Sequence, residues 1–297
     1  MKQVLLTLLI LVAPPAPPAP PAPGAHQATT AAPHIAVVGA SASAGWGVVV
    51  PQSKATHDGP SMHHRHIDLA EVIDVVLQPQ TAQVDSHATS MFFRAPNTHG
   101  PSQINAAIAD KVDLVIGIDF LFWYAYGFQL GVDHSNGGDT PERLASLERG
   151  LAQLDRLTVP VVIGDIPDMR SATDAGPIPL LSKGQVPSPK GLTAINIRIH
   201  EWAEARPSVS VVPLADLVSA MQRGDAIEIG QRPWPPDARL LQADRLHPTT
   251  DGLFAVAVLA ADAAAASHQS LSRPGETTSP ATIRAAMQTP ATTPVTP

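Results

Sequence analysis

Apolar residues fall in short unbroken runs along this chain, and most of the runs stop at glycine or aspartate. Residues 35–38, Ile-Ala-Val-Val, stop at Gly39. Residues 112–118, VDLVIGI, stop at Asp119, and residues 159–164, VPVVIG, stop at Asp165. Residues 208–212 add a further run, and 81–84 a weaker one. Runs of this length without polar alternation predict strands covered on both faces, the pattern of a parallel sheet. Between them the period becomes helical. In residues 67–77 a single face carries Ile67, Ala70, Ile73, Val76 and Leu77, with Asp68, Glu71 and Asp74 off it. Further helices are predicted over 102–110, opened by Gly100-Pro101, and over 140–157, capped by Thr140 with Pro141 at its first position. Others start at Ser188-Pro189, cover 214–221, and run from Thr249 to Ala266. Alternating strands and helices predict an α/β protein: three layers, with a central parallel sheet between helices. The polar stretches 51–66, 166–187 and 224–242 read as surface loops.

The two ends break this pattern. Of 297 residues 31 are proline, concentrated there. Lys2 precedes an apolar stretch, 4–12, too short to span a bilayer, and small residues follow at Gly24-Ala25. Residues 1–25 therefore read as a secretory signal peptide and 26–33 as a Pro/Ala-rich linker. The expected site of action is secreted or periplasmic, with no stable membrane span after signal removal. Residues 253–266 carry Asp262 and read as a packed terminal helix. The globular domain is expected over 34–266. Residues 267–297, Ser/Thr/Pro/Ala with few large apolar groups, are expected to be a disordered tail. The chain has no cysteine, which excludes disulfides, thiolate metal sites and a cysteine nucleophile. Its net charge of −7, without a basic stripe, argues against a nucleic-acid partner.

The first strand leads into Gly39-Ala40-Ser41-Ala42-Ser43-Ala44-Gly45. In open α/β sheets ligands sit beyond the carboxyl ends of the strands, so a serine here is placed for chemistry. Near the other end, Asp244 stands three residues before His247, which precedes Pro248. Acyl transfer by serine needs a base within reach of the hydroxyl and an acid to orient that base. Asp244 and His247 can meet within one tight loop, with His247 at the entrance to the last helix and Pro248 setting its first turn. A helix N-terminus disfavours an imidazolium, and the Asp244 carboxylate would offset this.

These residues resemble the GDSL/SGNH hydrolase superfamily of esterases and lipases. Its first motif, Gly-Asp-Ser followed by small residues and glycine, is similar to Gly39–Gly45; its last, Asp-x-x-His-Pro with a nearby glycine, is similar to Asp244–Pro248 and Gly252. The resemblance covers about residues 34–266 and implies a flavodoxin-like fold, a Ser41 nucleophile, a His247 base and an Asp244 orienting acid. Ala40 replaces the first motif's aspartate. No glycine occurs in Ser86–Ser90, the region matching the second motif, and Asp119 stands where the third motif has an oxyanion-binding asparagine. Ala88 and Asn97 are candidates to bind substrate in place of the missing donors, together with Asp119 itself.

The aromatic run 120–128, with Phe120 and Trp123, is expected to rim the crevice and contact an acyl chain or sugar. His87 and His99 are candidate lining residues. Asp165 and Asp168 read as helix caps and loop anchors. His57, His63, His64 and His66 form a histidine-rich loop that reads as solvated, and no metal or organic cofactor is expected. Spacing and flanking residues argue against a dinucleotide turn. The expected activity is cleavage of a carboxylic ester, of a small molecule, glycan or lipid, by Ser-His-Asp acyl transfer. The alternative is a degenerate, non-catalytic domain that binds a ligand or glycan.

Overall fold

The computed structural model describes residues 32–56, 59–77, 81–127, 139–223, 225–230, 232–234, 239–275 and 278–288. The expected signal peptide, most of the expected linker, and His57 lie outside the described residues.

The chain starts with strand β1 (His34–Val37), a hairpin of β2 (Val49–Thr56) and β3 (Gly59–His66), helix α1 (Leu69–Val76) and strand β4 (Gln83–Ser86). Then come α2 (Pro96–Ala109), β5 (Leu114–Gly117), α3 (Phe122–Tyr126), α4 (Thr140–Leu154) and β6 (Val161–Gly164). The second half holds α5 (Pro189–Glu204), β7 (Val209–Val212), α6 (Leu214–Arg223), the short β8 (Glu228–Ile229) and β9 (Arg232–Pro233), α7 (Thr250–Ser267) and α8 (Pro280–Gln288).

Five strands form a parallel sheet in the order β4-β1-β5-β6-β7. This is the flavodoxin-like order, with its topological switch at β1 and β5. Successive residues of a strand point to opposite faces. Here both sets are buried: Ile35 and Val37 pack towards α1 and α7, Ala36 and Val38 towards α2 to α5. Two-sided cover is why the runs lack polar alternation. The arrangement is the three-layer α/β fold expected.

Several local expectations are corrected. Residues 51–66, read as a loop, lie almost entirely in the antiparallel β2–β3 ribbon, where Val49 faces His66 and Val50 faces Arg65. A ribbon held by backbone pairing does not require an apolar face, so its polar sequence hid it. Helix α2 begins at Pro96, ahead of Gly100-Pro101. Gly100 is required there because a Cβ would stand 2.2 Å from the Tyr124 hydroxyl, which donates to the Pro96 carbonyl at 2.9 Å. The tail is not wholly without structure. Helix α8 buries Ile283 and Met287 against the core, and Arg284 pairs with Asp251 and lies over the Phe254 ring. Two apolar residues four apart suffice to dock two and a half turns of helix, which average composition conceals.

Helix α7 is long and apolar enough to cross a membrane by composition. Its Phe254, Ala257, Val258 and Ala261 are wholly buried in the protein.

Candidate active site

The loop after β1 is held by its backbone. Gln103 from α2, itself buried, brackets Gly39: its Oε1 accepts from the Gly39 N–H at 2.8 Å and its Nε2 donates to the Gly39 carbonyl at 2.9 Å. Asp119, at the end of β5, takes the next turn. One carboxylate oxygen accepts from the Ala40 N–H (2.9 Å) and the Ser43 hydroxyl (2.6 Å), the other from the N–H groups of Ala42 (2.9 Å) and Ser43 (3.2 Å). A Cβ on Gly39, whose φ is +148°, would lie 2.2 Å from that carboxylate, so glycine is needed for the approach. Gly45 closes the loop at φ +67°, where a Cβ would strike the Ile67 carbonyl at 1.9 Å. Ser41 sits at the top of this turn.

The second loop folds on itself. The Gln242 N–H donates to the His247 carbonyl (2.8 Å), and the Arg245 N–H donates to the Gln242 carbonyl (3.0 Å). Arg245 takes a left-handed φ of 56° to make the turn. Asp244 Oδ1 accepts from the N–H groups of Leu246 (2.9 Å) and His247 (3.0 Å), and Oδ2 lies 2.8 Å from His247 Nδ1. Burial acts most strongly on Asp244 and upward, but the hydrogen bonds from His247 and Leu246 together with the imidazole's charge outweigh it. The carboxyl is held below its ordinary range, and Asp244 is ionised. Pro248 lies further from the helix than expected. It pairs with Leu241 in a β-bridge, and Thr249 caps α7 by accepting from the Gly252 N–H at 3.1 Å.

The two loops meet. His247 Nε2 lies 2.9 Å from Ser41 Oγ. His247 is buried, and the half-exposed Trp46 ring leans on its imidazole at 5.8 Å between centroids. Gln242 fastens the loops, donating from Nε2 to the carbonyls of Trp46 (2.7 Å) and Pro248 (2.8 Å). With Nδ1–H donated to Asp244, Nε2 is free to accept the serine proton. Neither Gln242 nor Trp46 was expected at the site; Gln242 lies two positions before Asp244, but nothing local marks its reach to Trp46.

Beside the Ser41–His247 pair lies a cavity of about 100 Å³. Its walls come from the ends of β5 and β6, from α6 and α7, and from the histidine loop. Trp123 and its neighbour Phe122 line it. Phe120 does not: it is wholly buried and packs on Phe92 and Tyr124. Asn97 is absent from the lining and meets Arg149 at 3.3 Å on the surface. Ala88 is also absent from it; its loop is tied to β1 by His87 and Thr89, whose N–H groups donate to the Val37 and Gly39 carbonyls. Asp119 reaches the lining, but its oxygens are taken by the serine loop. It positions that loop where a substrate-binding role was expected. Among the described residues, no hydrogen bond takes up the N–H of Ser41.

The remaining candidates fall outside the site's chemistry. His87 lies 2.9 Å from Asp110, and His99 packs on Phe92. Asp165 caps α6 by accepting from the Ala215 N–H (2.8 Å), and Asp168 accepts from the Arg170 N–H (2.9 Å). His64 and His66 are exposed, and no group of residues among those described is arranged to hold a metal ion. One structural group was not anticipated. Arg143, wholly buried, pairs with Asp139 and donates to the carbonyls of Ala125, Gly127, Gly184 and Gln185, fixing α3 and its aromatic residues.

No protein-family model and no curated protein matches the chain. Among solved structures it is similar to that of BT4096, a gut microbial diltiazem-metabolizing enzyme, with a TM-score of 0.46 and 10% identity, over 76% of this chain and 45% of that one. The chain therefore spans less than half the length of that protein.

Proposed function

We propose that this protein is a serine hydrolase of the SGNH kind that cleaves carboxylic esters outside the cytoplasm. The observation that carries the reading is the contact of Ser41 Oγ with His247 Nε2 at 2.9 Å, with Asp244 on the opposite ring nitrogen at 2.8 Å. In the proposed reaction the Ser41 oxygen attacks the ester carbonyl as its proton passes to His247 Nε2. The resulting imidazolium is stabilised by ionised Asp244. The C–O bond to the alcohol breaks and His247 protonates the departing oxygen. Water then adds to the acyl-serine, its proton going to His247, and the acid leaves as the proton returns to Ser41. The Ser41 N–H is the candidate oxyanion donor.

A second reading rests on Asp119. A carboxylate stands where the resembling family has a donating asparagine, and losing one oxyanion donor typically costs about 10²–10³ in rate. This favours slow turnover or a domain that only binds its ligand. A fluorophosphonate probe separates the readings. Labelling that disappears in Ser41→Ala supports the nucleophile; labelling that persists there rejects it, and unlabelled wild-type protein favours the binding domain.

A further inference from the structure

The hydrolase reading leaves the ester undefined, and the cavity narrows it. Its polar lining is Ser41, Ser43, Asp119, Asp165 and His247. Ser43 and Asp119 bond each other, Asp165 is engaged by the Ala215 N–H, and Ser41 and His247 form the reacting pair. That leaves the second oxygen of Asp165, which faces His200 at 3.5 Å, and the indole N–H of Trp123, too few to receive the several hydroxyls of a sugar, most of which would be buried unsatisfied. The rest of the wall is hydrocarbon and thioether. Leu69, Ile118, Leu240 and Leu253 are buried, and Leu217 and Met221 of α6 are partly buried. Methionine conforms readily to a flexible chain.

Resting on that reading, we infer that this cavity holds the acyl chain of the substrate, and that the substrates are esters of short linear fatty acids. The order of bond breaking assigns the acyl side. The alcohol leaves while the acyl group is still joined to Ser41, so an alcohol seated deep among these side chains would have to depart past the acylated serine. An acyl chain there stays in place while water enters from the solvent side. The size sets the length. An apolar cavity of about 150 Å³ stays dry and accepts benzene. The cavity here, about 100 Å³, suits a chain of roughly four to six carbons.

The test is kcat/KM of the full chain on 4-nitrophenyl esters from acetyl to decanoyl. The expected profile rises by about fourfold per methylene up to butanoyl or hexanoyl and falls beyond. Leu217→Trp should lower the hexanoyl-to-acetyl ratio by at least about tenfold, and Leu217→Ala should move the optimum to a longer chain. A flat profile, or an optimum unmoved by both folded variants, overturns the inference. Failure of the hydrolase reading is distinguished by fluorophosphonate labelling and by binding to Ser41→Ala. Saturation-transfer NMR should show methyl hexanoate binding in preference to methyl acetate, and Leu217→Trp should remove that preference. Equal binding of the two esters overturns the cavity assignment, whatever the labelling shows.

Discussion

The side-chain amide of Gln242 donates to the Trp46 carbonyl at 2.7 Å, across 196 positions of sequence. The same nitrogen donates to Pro248, so one amide joins the serine loop to the histidine loop. That amide hydrogen-bonds neither the Ser41 hydroxyl nor the His247 imidazole. Its expected effect is on their alignment, and misplacement of reacting groups by about 1 Å can cost about 10² in rate. Gln242→Ala should lower kcat about 10–100-fold with little change in KM. Gln242→Glu, which sets an acceptor against two carbonyls, should do no better. Unchanged kcat in a folded Gln242→Ala protein would remove Gln242 from the alignment.

Asp119 gives a prediction opposite to that of motif restoration. If the site merely lacked the resembling family's asparagine, Asp119→Asn would improve turnover. Each carboxylate oxygen here accepts two hydrogen bonds from the serine loop. An amide replaces one of those oxygens with a donor, which meets the N–H groups of Ala42 and Ser43 on one side, or the Ala40 N–H and the Ser43 hydroxyl, able to turn and accept, on the other. One or two lost bonds with buried groups left unmet should cost about 1–4 kcal/mol in stability, measurable by urea denaturation. Activity should fall as the loop loosens. A stable and faster Asp119→Asn enzyme would contradict this account.

The difference between Gln242 or Asp119 and the reacting residues shows what the chain makes legible. The sheet can be read because β1, β5 and β6 are buried on both faces, and a short continuous apolar run bounded by glycine or aspartate suits a doubly covered strand. Asp244 and His247 can be read because a three-residue spacing lets them meet through local chain alone. Asp119 matches a motif position, but its partners are backbone N–H groups about 80 positions away, which no residue type announces. Phe120 and Trp123 illustrate the same limit within one run: the turn into α3 sends the first into the core and leaves the second at the cavity. The α6 wall of that cavity is unreadable too, since its apolar positions are those of any amphipathic helix.

Arg143 carries the support of α3. Its guanidinium is wholly buried, paired with Asp139 and hydrogen-bonded to four carbonyls. Arg143→Met removes the cation from a buried carboxylate and the donors from those carbonyls. The expected loss is about 3–5 kcal/mol. Restoring stability by adding Asp139→Leu would show that the buried carboxylate's charge dominates; no recovery would assign the loss to the carbonyl contacts. A fully stable Arg143→Met protein would contradict the bracing role.

Asp165 and Asp244 should respond to acid in opposite senses. Burial, acting on Asp165 above all, raises its carboxyl over the ordinary 3.8 despite the Ala215 N–H and His200. The folded protein therefore binds that proton more readily than the unfolded chain, and the ionised group weighs against the fold at neutral pH. This cost is relieved as pH falls through the raised value. Asp244 is the reverse: its carboxyl is depressed, so its stabilisation is present above the unfolded value near 3.8 and is lost as pH falls through the folded one. Asp165→Asn keeps an oxygen for the Ala215 N–H and removes the charge. It should raise Tm at pH 7, while Asp244→Asn lowers it. The Asp165 difference should shrink as pH falls through its raised value, and the Asp244 difference only as pH falls through its depressed one. Differential scanning calorimetry from pH 7 down into the acid range reads both, and a drop in Tm for Asp165→Asn at pH 7 would show that its hydrogen bonds outweigh its burial.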